Sequence, residues 1–144
     1  MIYLDTSSLL KLLHNEPEST AVQSAVGEER DVVISTLSQL EARVQLKAAW
    51  LGGDYGKARY QALADQLDAL SVLAPFRLLH PGAGLLETAI RQDREAGSTH
   101  LRALDRLHLA AMEELGARRL MTHDLHQATA ARQLGFEVMS PGLR

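Results

Sequence analysis

The chain has 144 residues, no cysteine and a formal net charge of −3 at pH 7. This length is typical of one domain with a buried core. The absence of cysteine excludes disulfides, thiolate zinc sites and a cysteine nucleophile. The weak negative charge argues against a nucleic-acid protein that depends on a large basic face, although a cluster of carboxylates with a bound cation would also lower the formal charge.

No segment has the pattern of a membrane or targeting element. The apolar run Met1–Leu4 is too short for a signal peptide and has no basic flank. Charges, Gly or Pro interrupt every later apolar stretch before it reaches the length of a membrane span. We therefore expect a cytoplasmic protein that has no contact with a membrane.

Short strand patterns alternate with helical patterns along the chain. In chain order, the spacing predicts a strand at Met1–Asp5, helices at Ser7–Asn15 and Pro17–Val26, and a strand at Asp31–Ser35. Thr36 or Ser38 can cap the next helix, which runs to about Leu51. The pattern then predicts a helix at Tyr55–Leu70, a strand at Phe76–Leu79, helices at Gly84–Ala96 and Arg102–Leu115, a strand at Arg118–Thr122, a helix at Leu125–Leu134 and a strand at Phe136–Met139. This alternation implies right-handed crossovers and a parallel sheet covered by helices on both faces. We expect one domain over residues 1–144.

Two acids stand where predicted strands end. Asp5 closes the first strand, and Asp124 lies two residues beyond Thr122 at the end of the fourth. Open α/β sheets bind their ligands at the carboxyl ends of the strands, so both acids are candidates for a site. Either acid taken alone is explained equally well as a helix N-cap.

Two further acids, Glu41 and Asp105, interrupt apolar faces of predicted helices. Their apolar neighbours on those faces are Leu37, Val44 and Ala48 for Glu41, and Leu101, Leu109 and Met112 for Asp105. A lone buried carboxylate is costly unless it is paired, neutralised or bound to a metal. Each acid alone has an ordinary explanation, as a buried ion pair or a first-turn helix acid. Four acids from four distant segments favour one shared cation, and oxygen ligands favour Mg²⁺ or Mn²⁺.

The segments that carry these acids resemble the motifs of the PIN-domain family, in particular the VapC-type toxins of bacterial and archaeal toxin–antitoxin pairs. They read IYLDTSSLLK around Asp5, STLSQLE up to Glu41, LDRLHLA around Asp105 and LMTHD up to Asp124. The resemblance covers essentially the whole chain. It implies a three-layer α/β/α sandwich around a central, mainly parallel five-stranded sheet, with Mg²⁺-dependent endoribonuclease activity on structured or single-stranded RNA. It also implies a homodimer and inhibition by a partner antitoxin.

The resemblance assigns roles to individual residues. The catalytic acids are Asp5, Glu41, Asp105 and Asp124. Asp5, Asp105 and Asp124 become metal ligands, whereas Glu41 either binds the metal or orients the attacking water. Supporting hydroxyls are expected at Thr6 or Ser7, and at Thr122. Many members carry a further acid after the fourth one, where this chain has Leu125 and His126.

The expected reaction is in-line attack of a metal-activated water on an RNA phosphodiester. Phosphate contacts require cations, and Arg102 and Arg106 are the candidates because they flank Asp105 in sequence. A catalytically weak RNA-binding or scaffold protein with the same fold is the main alternative. The four acids at core-facing positions argue against this alternative, because a binding module gains nothing from buried carboxylates that repel one another. A phosphoacceptor receiver domain is a weaker alternative, because Thr6 and Ser7 follow Asp5 where a second acid would be needed.

Two other patterns have more than one interpretation. His108 shares the face of Asp105, where it is either a core histidine or a hydrogen-bonding partner of the site. The stripe formed by Tyr60, Leu63, Leu67 and Leu70 fits either packing on its own domain or a docking face for a second copy or an antitoxin helix.

Overall fold

A computed structural model describes residues 1–143, which form five strands and seven helices. The order is β1 (Ile2–Leu4), α1 (Thr6–Leu13), α2 (Ser19–Gly27), β2 (Val32–Ser35), α3 (Thr36–Leu51), α4 (Lys57–Leu70), β3 (Phe76–Leu79), α5 (Leu85–Glu95), α6 (Ala103–Leu115), β4 (Arg119–Met121), α7 (Leu125–Gln133) and β5 (Glu137–Met139). Arg144, the last residue of the domain predicted over residues 1–144, lies outside the described residues. In this part of the chain, no helix combines the length and apolarity that a membrane crossing requires.

The strands form one parallel sheet in the order β3-β2-β1-β4-β5. β1 is central, and Tyr3 pairs with Val33 of β2 on one side and Leu120 of β4 on the other. All three residues of β1 are buried, as its continuous apolar sequence predicts for a strand covered on both faces. The predicted α/β/α architecture with a five-stranded sheet is therefore confirmed.

Each face of the sheet carries its own hydrophobic cluster. Ile2 and Leu4 belong to the cluster under α1 to α4, whereas Tyr3 belongs to the cluster that includes residues of α6 and α7. The predicted stripe on α4 packs into the first cluster, with Leu63 and Leu67 buried. The stripe therefore packs on its own domain.

The N-cap of α3 is Ser35, and not Thr36 or Ser38, because the Ser35 side chain accepts from the Ser38 N–H. Two other helices begin two residues later than their sequence pattern predicts. α2 begins at Ser19 and not at Pro17. The Ser19 hydroxyl accepts a hydrogen bond from the Glu16 N–H at 2.9 Å and donates one to the His14 carbonyl at 2.8 Å. These bonds hold residues 14–18 in a turn before the helix. α4 begins at Lys57 and not at Tyr55, with Gly56 as its N-cap residue.

Candidate active site

All four predicted acids line one cavity where β1 and β4 end. Its volume is about 230 Å³. The residues around it are Asp5, Thr6, Ser7, Glu41, Gln45, Arg102, Asp105, His108 and Asp124. Two acids follow the central strands, and two come from helices α3 and α6. The topology thus brings together residues from four distant segments of the chain.

Asp5 is the most deeply held of these acids. It directly follows β1 and caps α1, because Oδ1 accepts a hydrogen bond from the Ser8 N–H at 3.2 Å. Oδ1 also accepts from the Ser7 hydroxyl at 2.7 Å, and Oδ2 accepts from the Thr122 hydroxyl. Burial raises the pKa of Asp5, and the hydrogen bonds from Thr122 and Ser7 oppose that rise. Asp5 is therefore both a helix cap and a desolvated member of the site.

Two hydroxyls join the loop after β1 to the loop after β4. Thr122 donates to Asp5 and accepts from the Asp124 N–H at 3.1 Å. Ser7 accepts from the His123 N–H at 2.9 Å. The structure therefore brings the hydroxyls of Ser7 and Thr122 into hydrogen-bond contact with Asp5. The Thr6 hydroxyl lies instead 3.4 Å from Nε2 of His108.

Glu41 reaches the cavity, but the reason we gave for its burial is wrong. The buried face of α3 is formed by Ser38, Ala42 and Leu46. Val44, which we expected beside Glu41 on an apolar core stripe, is 58% exposed. Oε1 of Glu41 lies 2.9 Å from Nε2 of the buried His108. Burial raises the pKa of Glu41, but hydrogen bonds from His108 and Thr6 outweigh it and hold the pKa below its usual value.

Asp105 and Asp124 share one arginine at the outer side of the cavity. Asp105 lies in the first turn of α6, on a face where Leu109 is buried, as predicted. Arg102 donates from Nε to Oδ2 of Asp105 at 2.9 Å, and its Nη2 lies 3.9 Å from Oδ2 of Asp124. Oδ1 of Asp124 caps α7 by accepting from the Gln127 N–H at 3.0 Å. Asp105 as a first-turn acid and Asp124 as an N-cap therefore have ordinary helix roles, and both also line the cavity.

Arg106 is the predicted phosphate contact that the structure does not bring to this cavity. It is 5% exposed and lines a separate groove of about 540 Å³ between α5 and α6. Arg102 lines the acid cavity and also a neighbouring one of about 380 Å³. Of the two arginines, only Arg102 is placed to contact a substrate at the acids.

The four carboxylates share a cavity without forming a closed coordination shell. Among residues 1–143, no group of three or more His, Asp or Glu side chains is arranged to hold a metal ion. Mg²⁺ usually keeps several waters and uses only one or two carboxylates directly. Oxygen donors on several sides of one small cavity fit that chemistry.

Comparison with known proteins gives the family. Residues 2–133 match the family model of the PIN domain. The chain belongs to the PIN-domain family. This PIN domain is 35% identical over 148 residues to ribonuclease VapC47 of Mycobacterium tuberculosis (strain CDC 1551 / Oshkosh), a match that covers 99% of the chain and 98% of the relative.

Solved structures agree with the fold of this PIN domain. The crystal structure of Mycobacterium tuberculosis VapC20, described as a sarcin–ricin loop cleaving toxin, has a TM-score of 0.73 at 20% identity and covers 98% of this chain and 100% of that one. A toxin–antitoxin complex from Klebsiella pneumoniae has a TM-score of 0.66 at 17% identity and covers 98% of both chains. At these identities the likeness shows a shared fold.

Sequence reasoning missed the buried partners that lie behind His108. Tyr3 stands in the middle of the apolar run of β1, and its hydroxyl lies 2.8 Å from Nδ1 of His108. Ser35 and Ser38 at the start of α3 bond to the same hydroxyl. The only local signal was that His108 shares a helix face with Asp105, because the other partners are far apart in the chain.

Proposed function

We propose that this PIN domain is a Mg²⁺-dependent endoribonuclease, with Mn²⁺ as a possible substitute, and the toxin of a toxin–antitoxin pair. The observation that carries the proposal is that all four predicted acids line one cavity at the carboxyl ends of the central strands. The end-to-end similarity to a protein named ribonuclease VapC47 supports the reaction class. We place the reaction in the cytoplasm, where cellular RNA is translated.

Asp5, Asp105 and Asp124 are the residues that would hold the cation, directly or through water. When bound, such a cation lowers the pKa of a coordinated water and offsets charge on the phosphoryl oxygens. Ser7 and Thr122 fix the Asp5 carboxylate by donating to its two oxygens. Glu41, with its low pKa, is ionised at neutral pH and either joins this set or orients the attacking water.

Arg102 is the residue we assign to the RNA phosphate. Its side chain is 75% exposed and reaches both outer acids, so it can exchange one acid for an entering phosphate without unfolding α6. The neighbouring cavity, which Arg102 shares with His100, Leu101 and His126, extends the site along the surface. Unstacked bases stack on imidazole and guanidinium groups, so we propose this cavity as a path for the RNA strand.

Metal removal and restoration test the reaction. Purified protein is incubated with a panel of structured and single-stranded RNAs in Mg²⁺, in EDTA, and in EDTA followed by excess Mg²⁺ or Mn²⁺. We expect cleavage that EDTA stops and either ion restores. RNA that is bound but not cut would favour the binding or scaffold alternative. Asp68→Asn, at an exposed acid paired with Arg43 away from the cavity, is the matched control and keeps full activity.

We also propose an antitoxin partner and a homodimer. The shared fold of the Klebsiella pneumoniae toxin–antitoxin complex supports the first. The groove between α5 and α6 supports the second, because Leu86 and Ile90 are 65% and 53% exposed along it. Light scattering should give a dimer for the wild type and a monomer for Ile90→Asp. Val72→Asp, at an exposed apolar residue outside this groove, should remain dimeric.

A further inference from the structure

A line of buried polar side chains runs from the first residues of α3 to Glu41 on the same helix. The Ser38 N–H donates to Oγ of Ser35 at 3.1 Å, and that oxygen lies 2.6 Å from the Tyr3 hydroxyl. The Tyr3 hydroxyl lies 2.8 Å from Nδ1 of His108, whose Nε2 lies 2.9 Å from Oε1 of Glu41. The first four of these residues are at most 2% exposed. Water therefore has almost no access to the links between them.

With a neutral imidazole at His108, the chemistry of the end groups sets the direction of every bond. An ionised carboxylate can only accept, so Nε2 of His108 must carry the hydrogen that faces Glu41. A neutral imidazole with its hydrogen on Nε2 accepts at Nδ1, so the Tyr3 hydroxyl must be the donor there. The Tyr3 oxygen then accepts from Ser35, which itself accepts from the Ser38 N–H. All donors and acceptors in the line are matched, and aligned bonds of this kind reinforce one another.

We infer that His108 and Tyr3 are positioning residues that hold the Glu41 carboxylate in one orientation for cleavage of the RNA phosphodiester. The inference rests on the proposed ribonuclease function. Tyr3 lies on the central strand, and its ring meets that of His108 edge-on with centroids 5.9 Å apart. The sheet therefore fixes the imidazole, and the imidazole fixes one oxygen of Glu41. Neither residue needs to contact RNA.

A role in packing alone makes a different prediction from a role in positioning. For packing, any side chain of similar volume at residue 108 is adequate. For positioning, a hydrogen-bond donor must stand where Nε2 stands. Glutamine extends far enough to place its amide near Nε2, whereas asparagine reaches only the region of Nδ1. His108→Gln and His108→Asn are therefore a matched pair that keeps an amide and moves it by one methylene.

The first test compares kcat, KM and urea stability for both variants and for Tyr3→Phe, in saturating Mg²⁺. We expect His108→Gln to stay close to wild type in kcat. His108→Asn and Tyr3→Phe should each lower kcat by about 10-fold or more with KM unchanged, as for other residues that orient a group at a metal site. Equal kcat for His108→Gln and His108→Asn would overturn the inference. Losses of kcat that merely parallel the losses of unfolding free energy would overturn it as well.

The second test does not depend on activity. Side-chain ¹⁵N spectra of the protein in EDTA report which imidazole nitrogen carries hydrogen. We expect hydrogen on Nε2 alone for His108 in the wild type and in Tyr3→Phe, because the Glu41 carboxylate can only accept, and a mixture of both tautomers in Glu41→Gln, whose amide can also donate. Hydrogen on Nδ1 in the wild type would overturn the inference. A wild type that cuts no RNA but shows the expected tautomer would instead refute the proposed function.

Discussion

The two sides of the acid cavity are built in opposite ways. On the inner side, Asp5 is 4% exposed and accepts hydrogen bonds from the neutral groups of Ser7, Ser8 and Thr122. On the outer side, Asp105 and Asp124 share the 75% exposed Arg102. The inner oxygens are placed when the protein folds, whereas the outer ones are neutralised by a side chain that solvent can reach. The inner side therefore holds its oxygens in a fixed geometry. On the outer side, a ligand can displace the Arg102 guanidinium from the two acids.

The largest expected effect is that of Asp5→Asn. Asparagine keeps the helix cap but removes the charge. We therefore expect the cleavage rate to fall by more than about 100-fold, which exceeds the loss typical of residues that only orient a metal ligand. In EDTA the same change should raise the melting temperature at neutral pH. The pKa of folded Asp5 lies above its unfolded value, so wild-type stability falls as pH rises through the folded pKa.

Thermal unfolding of Asp5→Asn and wild type across the acid-to-neutral range checks this prediction. The advantage of Asp5→Asn should grow as pH rises, because only the wild type must then bury the charge. Asp68→Asn should show no such trend, since its carboxylate is exposed and paired with Arg43. If Asp5→Asn melted at a lower temperature than the wild type at every pH, burial of the Asp5 charge would not be destabilising.

A smaller effect is expected for Thr122→Val. Valine keeps the shape but removes the hydroxyl that donates to Asp5 and accepts from the Asp124 N–H. We expect the unfolding free energy to fall by about 1–3 kcal/mol, because buried partners lose their hydrogen bonds. Cleavage should fall by about 10- to 100-fold. Thr122→Ser keeps the hydroxyl and is the control for both urea unfolding and cleavage rate. If Thr122→Val matched Thr122→Ser in both measurements, the hydroxyl would have no role.

The smallest effect is expected for Arg102→Gln. Because exposed ion pairs contribute little to stability, the melting temperature should not change measurably. KM for RNA should rise severalfold, because a phosphate contact is lost, while kcat changes little. Steady-state kinetics at two salt concentrations measures this, with Arg43→Gln as the control at another exposed pair. A fall in kcat without a change in KM would instead assign Arg102 to the reacting phosphate.

The sequence predicts the positions of the four acids unequally well. Asp5 and Asp124 follow from the position of strand ends, which local patterns show well. Glu41 lines the cavity, but the predicted apolar stripe beside it is wrong, since its neighbour Val44 faces solvent. The Tyr3–His108 contact joins residues 105 positions apart, and no local pattern encodes such a pair.

The two arginines beside Asp105 show why sequence proximity misleads on a helix. Arg106 is the next residue after Asp105, and one residue on a helix turns the side chain by about 100°. Arg106 therefore packs into the α5–α6 groove. Arg102 precedes Asp105 by three residues, so the two side chains share a face and form an ion pair.

Binding of Mn²⁺ to the purified protein, followed by electron paramagnetic resonance without RNA, tests the proposed metal site most directly. Wild type and Asp68→Asn should bind the ion with equal affinity, and Mg²⁺ should displace it. Asp5→Asn should weaken binding by about 10-fold or more, because one fixed oxygen of the inner side is no longer charged. Equal Mn²⁺ affinity for wild type and Asp5→Asn would contradict a cation held by these acids.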